Sequence, residues 1–319
     1  KHTYVRSPGF RLHTDVDRIV RRTAINWEEF EKRVIHMGVK TAVYISLKNI
    51  HFLGEISGFF LSIVPNSLKT VTKTNLKLCF PNKTPKEIST LTGNSLKETS
   101  KSLFESGKCW IAYPKLDVNS IVEVEGKDQI LKSIEEGRGV ILFTPHIGNI
   151  EILINYVANN FKTTIPYTPA KISALDSIMN NSRGLMGANM VKADSAGVKS
   201  SLMALKDGNL IMMACDQVPK KSSGIISNFF GVSALTVSLI STLSKRTKSP
   251  CHSVTCLRRN RGQGFRIIFS ERIGQLNDLD VQDGVNLMNR ELEKCIMKAP
   301  EQYAWEYKRF KHSTFESPY

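Results

Sequence analysis

A histidine and a glutamate five positions apart are the residues best suited to chemistry in this 319-residue sequence. His146 and Glu151 lie in the string Thr-Pro-His-Ile-Gly-Asn-Ile-Glu at residues 144–151. Histidine titrates near neutral pH, so it can take a proton from a hydroxyl, and a neighbouring carboxylate can fix its tautomer and stabilise the imidazolium. A lone histidine followed by a glutamate is more often structural, so the surrounding pattern must decide between the two interpretations.

The elements around this pair place the histidine at the end of a strand. Residues 139–143 form an apolar run that predicts a buried strand, and residues 152–161 have a helical pattern. A turn after His146 would let the carboxylate fold back to the imidazole. Gly148 permits close approach of the backbone, and the amino end of the helix offers N–H groups to an oxyanion or a phosphate, so Gly148 and Asn149 are candidate substrate-binding residues.

A second polar cluster follows a second apolar strand. Residues 210–214 predict a strand that leads to Asp216 and Gln217. The alternation of strands and helices from residue 122 onward predicts an α/β fold with helices on the faces of a sheet. Such sheets bind ligands at the carboxyl ends of their strands, so Asp216 and Gln217 are candidates for shaping a binding site. An aspartate satisfied by backbone amides is the structural alternative.

The 144–151 string resembles the HxxxxD/E motif of glycerolipid acyltransferases. With glutamate as its acid, it is similar to the bacterial lipid A biosynthesis (late) acyltransferase family. The resemblance extends over about residues 70–312, because further matches follow in that family's order: Asn75-Leu76, Cys79-Phe80-Pro81, Tyr167 with Pro169, Arg183, Asp216-Gln217, Asn228-Phe229-Phe230-Gly231, Ala234 with Thr236, and residues 305–311. The family transfers an acyl chain from acyl carrier protein to a glycolipid hydroxyl at the cytoplasmic face of the bacterial inner membrane.

The resemblance implies a fold and a mechanism. The fold is expected to be a central mixed sheet flanked by helices, with an N-terminal arm that associates with the membrane. His146 is expected to deprotonate the acceptor hydroxyl, and Glu151 to orient and support it, so that the alkoxide attacks the thioester directly. No metal, cofactor or covalent acyl-enzyme is expected. The acceptor would be a phosphorylated glycolipid of the lipid A precursor type.

Three further groups in the resemblance have both a functional and a structural interpretation. Arg183 can contact a phosphate or a carbonyl, since a fixed guanidinium binds anions in bidentate fashion, or it can form an ordinary ion pair. Phe229, Phe230 and Gly231 can wall an acyl-chain groove or belong to the core. The basic aromatic segment at residues 305–311 can lie against headgroups or close the fold.

Two positions depart from that family's pattern and leave alternatives open. Ile150 stands where the family usually has Trp, and Thr168 where its Tyr-Arg-Pro string has Arg. The second change removes a candidate phosphate ligand, so a lysophospholipid, a glycerol phosphate or an aminolipid stays open as the acceptor. A non-catalytic membrane-binding protein is the alternative from another class. A nucleic-acid partner is not expected, because aromatic residues are not interleaved with Arg and Lys.

The charge and the cysteine content indicate which kinds of partner and which cellular compartment to expect. The net charge of +15 favours anionic partners such as a membrane surface or an acidic carrier protein. The six cysteines include no CxxC pair, which is typical of reduced thiols in a cytosolic setting. Cys251 and Cys256 flank His252, but their spacing does not fit zinc, and residues 251–257 have the pattern of a buried strand.

The chain divides into two predicted regions. Residues 1–66 form a basic arm with an apolar, membrane-associating segment, and residues 67–319 form the acyltransferase domain. The best membrane candidate, residues 43–64, resembles an interfacial helix more than a span, since it is interrupted by Lys48, His51 and Glu55. A helical arm packed on its own domain is the alternative. Farther on, Thr-Pro-Lys-Glu at residues 84–87 predicts a capped helix start.

Overall fold

The computed structural model describes residues 44–111, 118–170, 173–312 and 316–319. Three helices come first among them: α1 (Leu47–Ile63), α2 (Ser67–Cys79) and α3 (Pro85–Ile111). The predicted start of α3 is confirmed. The Glu87 carboxylate accepts from the Thr84 backbone N–H at 2.7 Å, and the Thr84 hydroxyl accepts from the Glu87 N–H at 3.3 Å. This reciprocal bonding satisfies N–H groups that a helix start leaves unpaired.

Helix α1 packs against α3 through two glycines. A Cβ added at Gly58 would lie 2.2 Å from the Lys97 Cα, and one added at Gly54 would lie 2.8 Å from the Lys101 Cα. Only a residue without a side chain allows the two backbones to approach so closely. Within the described residues, no helix is both long and apolar enough to cross a membrane. The division at residue 66 remains a prediction, and residues 1–43 of the predicted arm lie outside the described part.

The rest of the chain alternates strands and helices as predicted. In chain order these are β1 (Val122–Glu125), α4 (Lys127–Glu135), β2 (Val140–Thr144), α5 (Ile150–Asn160), β3 (Thr163–Tyr167), α6 (Ser173–Leu185), β4 (Asn189–Lys192), α7 (Ser195–Lys206), β5 (Leu210–Ala214), β6 (Gly224–Phe229), β7 (Val232–Val237), α8 (Leu239–Thr247), β8 (Cys251–Arg258), β9 (Phe265–Phe269) and α9 (Val281–Met297).

Seven of these strands form one mixed sheet in the order β1-β9-β8-β2-β5-β3-β4. Strand β2 is parallel to both β5 and β8, whereas β8 and β9 are antiparallel. Strands β6 and β7 form a separate antiparallel hairpin. The expected α/β fold, with a mixed central sheet flanked by helices, is confirmed, and β2 and β5 carry the two predicted polar clusters at neighbouring carboxyl ends.

The core lies on both faces of β2, because successive side chains of a strand point to opposite sides. Ile141 and Phe143 belong to the apolar cluster that includes α7, α8 and α9. Val140 and Leu142 belong to the cluster that includes α5. Every residue of β2 is buried. The histidine that follows it therefore leaves a fixed strand.

Two of the alternatives left open by the sequence are decided by burial. Trp305, Arg309 and Phe310 are buried, and the Arg309 guanidinium donates to the Leu235 carbonyl at 2.5 Å and to the Thr236 hydroxyl at 2.6 Å. The basic aromatic segment therefore closes the fold over the β6–β7 hairpin. The predicted strand at residues 251–257 is confirmed as β8, which is buried along its whole length.

Candidate active site

His146 and Asp216 meet because their strands are neighbours in register. Thr144 of β2 pairs with Ala214 of β5, and each polar residue lies two positions beyond its paired residue. The His146 Nδ1 is 2.7 Å from the Asp216 Oδ1, and the His146 backbone N–H donates to the Asp216 Oδ2 at 3.0 Å. One buried carboxylate thus holds both the ring and the backbone of the histidine.

The opposite ring nitrogen of His146 faces the open side of the site. Since an ionised carboxylate only accepts, Nδ1 carries the hydrogen in this pair, and Nε2 of the neutral ring keeps its lone pair. The amide nitrogen of Gln217, an exposed residue, lies 3.3 Å from Nε2. The His146 side chain is 30% exposed, so the ring is partly open to solvent although its Asp216 partner is buried.

The electrostatics of the pair favour the protonated ring. Burial alone would lower the pKa of His146, but the charge and hydrogen bond of Asp216 outweigh it, so the pKa is raised. Burial would likewise raise the pKa of Asp216, and the charge and hydrogen bonds of His146 lower it instead. The aspartate therefore stabilises the imidazolium that proton transfer creates.

Glu151 makes a different contact from the one predicted. Its carboxylate binds Arg183, with 3.1 Å between Oε2 and Nε and 2.5 Å between Oε1 and Nη2, and both side chains are buried. Glu151 is the second residue of α5 and reaches α6, whereas the neighbouring strand supplies Asp216 to His146. The ion-pair interpretation of Arg183 is thus the observed one. Its charge nevertheless reaches His146, where it acts to lower the pKa of the imidazole.

Gly148 and Asn149 hold the turn behind His146, and their N–H groups are already bonded. The Gly148 N–H donates to the Gln302 carbonyl and the Asn149 N–H to the Cys256 carbonyl, both at 3.0 Å. Gly148 has a positive φ of 61°, and a Cβ there would lie 2.0 Å from the Cys256 oxygen. These two N–H groups are therefore not available to the predicted oxyanion or phosphate, because Gln302 and Cys256 of β8 already accept from them.

A buried charged network supports this turn from α1, α3 and β8. The Glu105 carboxylate accepts from the Asn149 side-chain amide at 2.7 Å and from the Arg258 Nε at 2.6 Å, and it lies 2.6 Å from the His51 Nε2. The Arg258 Nη2 also donates to the Gly148 carbonyl at 3.2 Å. No local pattern indicates this network, since its members come from four separate segments.

Removing the charge of Glu105 should destabilise the protein strongly. Glu105 is fully buried and its pKa is about 2, because Arg258 and His51 outweigh burial, which alone would raise it. Glu105→Gln leaves the Arg258 guanidinium undercompensated, and we expect a loss of about 3 kcal/mol in the free energy of unfolding, measured by urea denaturation at pH 7.

The difference in the free energy of unfolding between Glu105→Gln and the wild type should also depend on pH. The stabilisation from Glu105 is present above its ordinary pKa of 4.5 and is lost as the pH falls towards about 2. Glu136→Gln is the control, since its bond to Arg272 is part-exposed and should contribute at most about 1 kcal/mol. If both variants lost the same free energy of unfolding, the buried network would stabilise the protein no more than a part-exposed ion pair does.

The predicted groove residues at the β6–β7 turn differ in how deeply they are buried. Phe229 is fully buried and its ring packs against Tyr303 and Phe310, so it belongs to the core. Phe230 is half-buried, and with Gly231 it forms the two-residue turn, where both have positive φ. Of the two rings only that of Phe230 is part-exposed, and it packs against Phe80, Phe229 and Trp305.

A histidine held by a buried aspartate at the strand ends of an α/β sheet can deprotonate a hydroxyl for attack on an acyl group. Comparison with known proteins gives the class of the protein. The chain belongs to the bacterial lipid A biosynthesis acyltransferase family, whose sequence profile matches residues 37–312. The chain is therefore an acyltransferase of that family.

The individual relatives have low sequence identity to this chain, but each match covers most of both chains. The chain is 25% identical over 261 residues to a lipid A biosynthesis palmitoleoyltransferase of Escherichia coli, covering 82% of this chain and 84% of the relative. It is 26% identical over 240 residues to a lipid A biosynthesis lauroyltransferase of the same organism, covering 74% and 77%. A lipid A biosynthesis acyltransferase of Haemophilus influenzae is 23% identical over 246 residues, covering 76% of each chain.

Proposed function

We propose that this protein transfers a fatty acyl chain from an acyl carrier protein thioester to a hydroxyl of a lipid A precursor-type glycolipid. The observation that carries the proposal is the His146–Asp216 pair, with Nε2 of the ring on the accessible side of the site. Membership of the lipid A biosynthesis acyltransferase family and the names of the relatives support the acyl group and the acceptor.

His146 is the general base in this mechanism. The acceptor hydroxyl replaces the Gln217 amide at Nε2 and loses its proton to that nitrogen, while Asp216 stabilises the resulting imidazolium. The alkoxide oxygen attacks the thioester carbonyl and forms a tetrahedral intermediate. When the intermediate collapses, the C–S bond breaks, and the imidazolium returns the proton to the leaving thiolate. The ester and the free carrier thiol are the products.

Arg183 is the proposed contact for negative charge, and Glu151 holds it in place. Two of its nitrogens, Nε and Nη2, bind the Glu151 carboxylate, and these two bonds use only two of the five N–H donors of the guanidinium. A guanidinium fixed in this way retains a donor for a phosphate of the acceptor or for the oxygen of the tetrahedral intermediate. The predicted dependence of catalysis on Glu151 would then act through Arg183.

Two partners follow from the charge and the surface of the molecule. Acyl carrier proteins are acidic, and the net charge of +15 favours their association. The outer face of α1 exposes several large apolar side chains, which suit the boundary of a lipid bilayer. We therefore propose that the protein works at the cytoplasmic face of the bacterial inner membrane, on a phosphorylated glycolipid presented there.

An assay with defined donors and acceptors tests the reaction. Purified wild-type protein would be incubated with acyl carrier protein thioesters and a phosphorylated glucosamine lipid, and in parallel with lysophospholipid, glycerol phosphate and aminolipid acceptors. We expect ester formation on the glucosamine lipid, with at least tenfold lower rates on the others. Preferred transfer to another acceptor would move the proposal to that lipid class. Folded protein that transfers to none of them would leave a membrane-binding protein as the better account.

A further inference from the structure

A cleft of about 420 Å³ lies between the start of α1 and the β8–β9 connection. We call it the basic cleft, and its outer lining includes Lys48, Phe52, Arg259 and Arg261. The connection packs onto the first turn of α1, where a Cβ added at Gly262 would lie 2.7 Å from the Lys48 Cα. Two cationic segments that are far apart in sequence therefore share one opening.

The cations of the basic cleft differ in how they are paired within the described residues. Deeper in the cleft, Lys101 and Arg258 are paired with Glu98 at 2.6 and 2.7 Å. By contrast, neither Lys48 nor Arg261 forms an ion pair or a side-chain hydrogen bond within the described ranges. Arg259 has only a part-exposed contact of 3.4 Å with Glu123. The described lining carries an excess of positive charge, with five cations (Lys48, Lys101, Arg258, Arg259 and Arg261) against three carboxylates (Glu55, Glu98 and Glu301).

An exposed apolar surface continues from the basic cleft along α1. Phe52, which lines the cleft, is 64% exposed, and Phe59, Phe60 and Ile63 are each more than half exposed. Lys48 precedes Phe52 by four positions, so the cation and the apolar side chains follow one face of the helix. Gly54 and Gly58 face α3, which leaves that outer face without a protein partner in the described chain.

We propose that the basic cleft binds the phosphate of an anionic phospholipid of the membrane, while the outer face of α1 lies at the acyl boundary. Cations at one end of an apolar helix face match the order of headgroup and acyl chain in a lipid leaflet. This inference rests on the proposed function only in that both require a lipid surface. The lining of the basic cleft does not include His146, Asp216 or Gln217. It shares Arg258 and Gln302 with the contacts that hold Gly148 behind His146.

Vesicle flotation with the purified full chain tests this site. Vesicles of phosphatidylcholine alone would be compared with vesicles that contain phosphatidylglycerol. The variant Lys48→Gln/Arg261→Gln should bind the anionic vesicles about 30-fold more weakly than wild type, since each basic residue near such a surface contributes about fivefold. Its binding to phosphatidylcholine vesicles should be almost unchanged, because the apolar face of α1 is intact.

Lys245→Gln/Arg246→Gln is the matched control. It removes the same charge from the exposed end of α8, an element that contacts α7, α9 and β2 rather than α1. We expect less than a threefold change in this variant. Equal weakening of both variants would overturn the proposal in favour of a general charge effect, and unchanged binding of the cleft variant would overturn it directly. Thermal unfolding of each variant verifies that the fold is retained.

A second arm separates the membrane lipid from the acceptor. Acyl transfer would be measured in neutral detergent micelles that contain the phosphorylated acceptor but no anionic phospholipid. An unchanged KM in the cleft variant supports the membrane lipid as the ligand, and a KM raised tenfold or more would assign the basic cleft to the acceptor phosphate and overturn the proposal. If wild-type protein binds anionic vesicles through the cleft but transfers no acyl chain, the proposed function fails and this site stands.

Discussion

Replacing His146 with alanine should reduce acyl transfer by about 10²- to 10⁴-fold, the range in which a positioned general base contributes. The expectation depends on Nε2, which is the accessible nitrogen of the ring, whereas Nδ1 is bonded to Asp216. Initial rates with a saturating acyl donor would measure the effect. The variant should remain folded, because the strand that carries His146 is fixed by its own buried residues.

His312→Ala is the control for this substitution. His312 is exposed and lies after the buried residues of the C-terminal segment, so its loss should leave the rate within twofold of wild type. A His146→Ala enzyme that keeps more than a tenth of the wild-type rate would show that another group accepts the proton.

Replacing Asp216 with asparagine should both slow the reaction and move its pH dependence. In wild type the rate should rise with pH as the imidazolium loses its proton. The pH range of this rising limb lies above that of an ordinary histidine, because Asp216 raises the pKa of His146. Without that charge, burial lowers the pKa, so the limb should move to lower pH. The maximal rate should fall by about 10²-fold or more, because the tautomer and the imidazolium lose their support. The measurement is kcat/KM between pH 5 and 9.

The variant Glu151→Gln tests which carboxylate, that of Glu151 or that of Asp216, is the direct partner of His146. Its carboxylate binds Arg183, so we expect a lower rate but a rising limb that moves less than in Asp216→Asn. Arg183→Lys, which keeps the charge but not the bidentate geometry, should lose a similar factor to Glu151→Gln. A limb that moves farther in Glu151→Gln than in Asp216→Asn would return Glu151 to the role of direct partner.

Much of the site's position is contained in local sequence pattern. The apolar run before His146 and the run before Asp216 both became strands of the sheet, and both polar clusters lie at strand ends. Periodicity indicates an element and its end, but it does not indicate which strands are neighbours or in what register. The pairing of Thr144 with Ala214 supplies that information, and it brings Asp216 to His146 across 70 positions of sequence.

The predicted contact of Glu151 with His146 differs from the observed one with Arg183 for the same reason, since local sequence does not show which distant segments meet. Five positions of sequence made a fold-back to His146 sterically reasonable, but α6 offers a guanidinium that satisfies both carboxylate oxygens at once. The bonding of the Gly148 N–H likewise depends on Gln302, which is far away in the chain. Competition between local and distant partners for the same polar atoms is decided by the assembled fold.

The network around Glu105 limits how the chain can be shortened. His51 of α1 contacts the same carboxylate that binds Asn149, so α1 and the catalytic turn share one buried charge. A fragment that starts after residue 66, chosen to improve solubility, would remove the imidazole and uncover the surface of α3 against which Gly54 and Gly58 pack. Polar substitutions at Phe52 and Phe59, on the outer face, would improve solubility without removing that support. The helix that we propose to lie at a membrane therefore also supports the candidate active site.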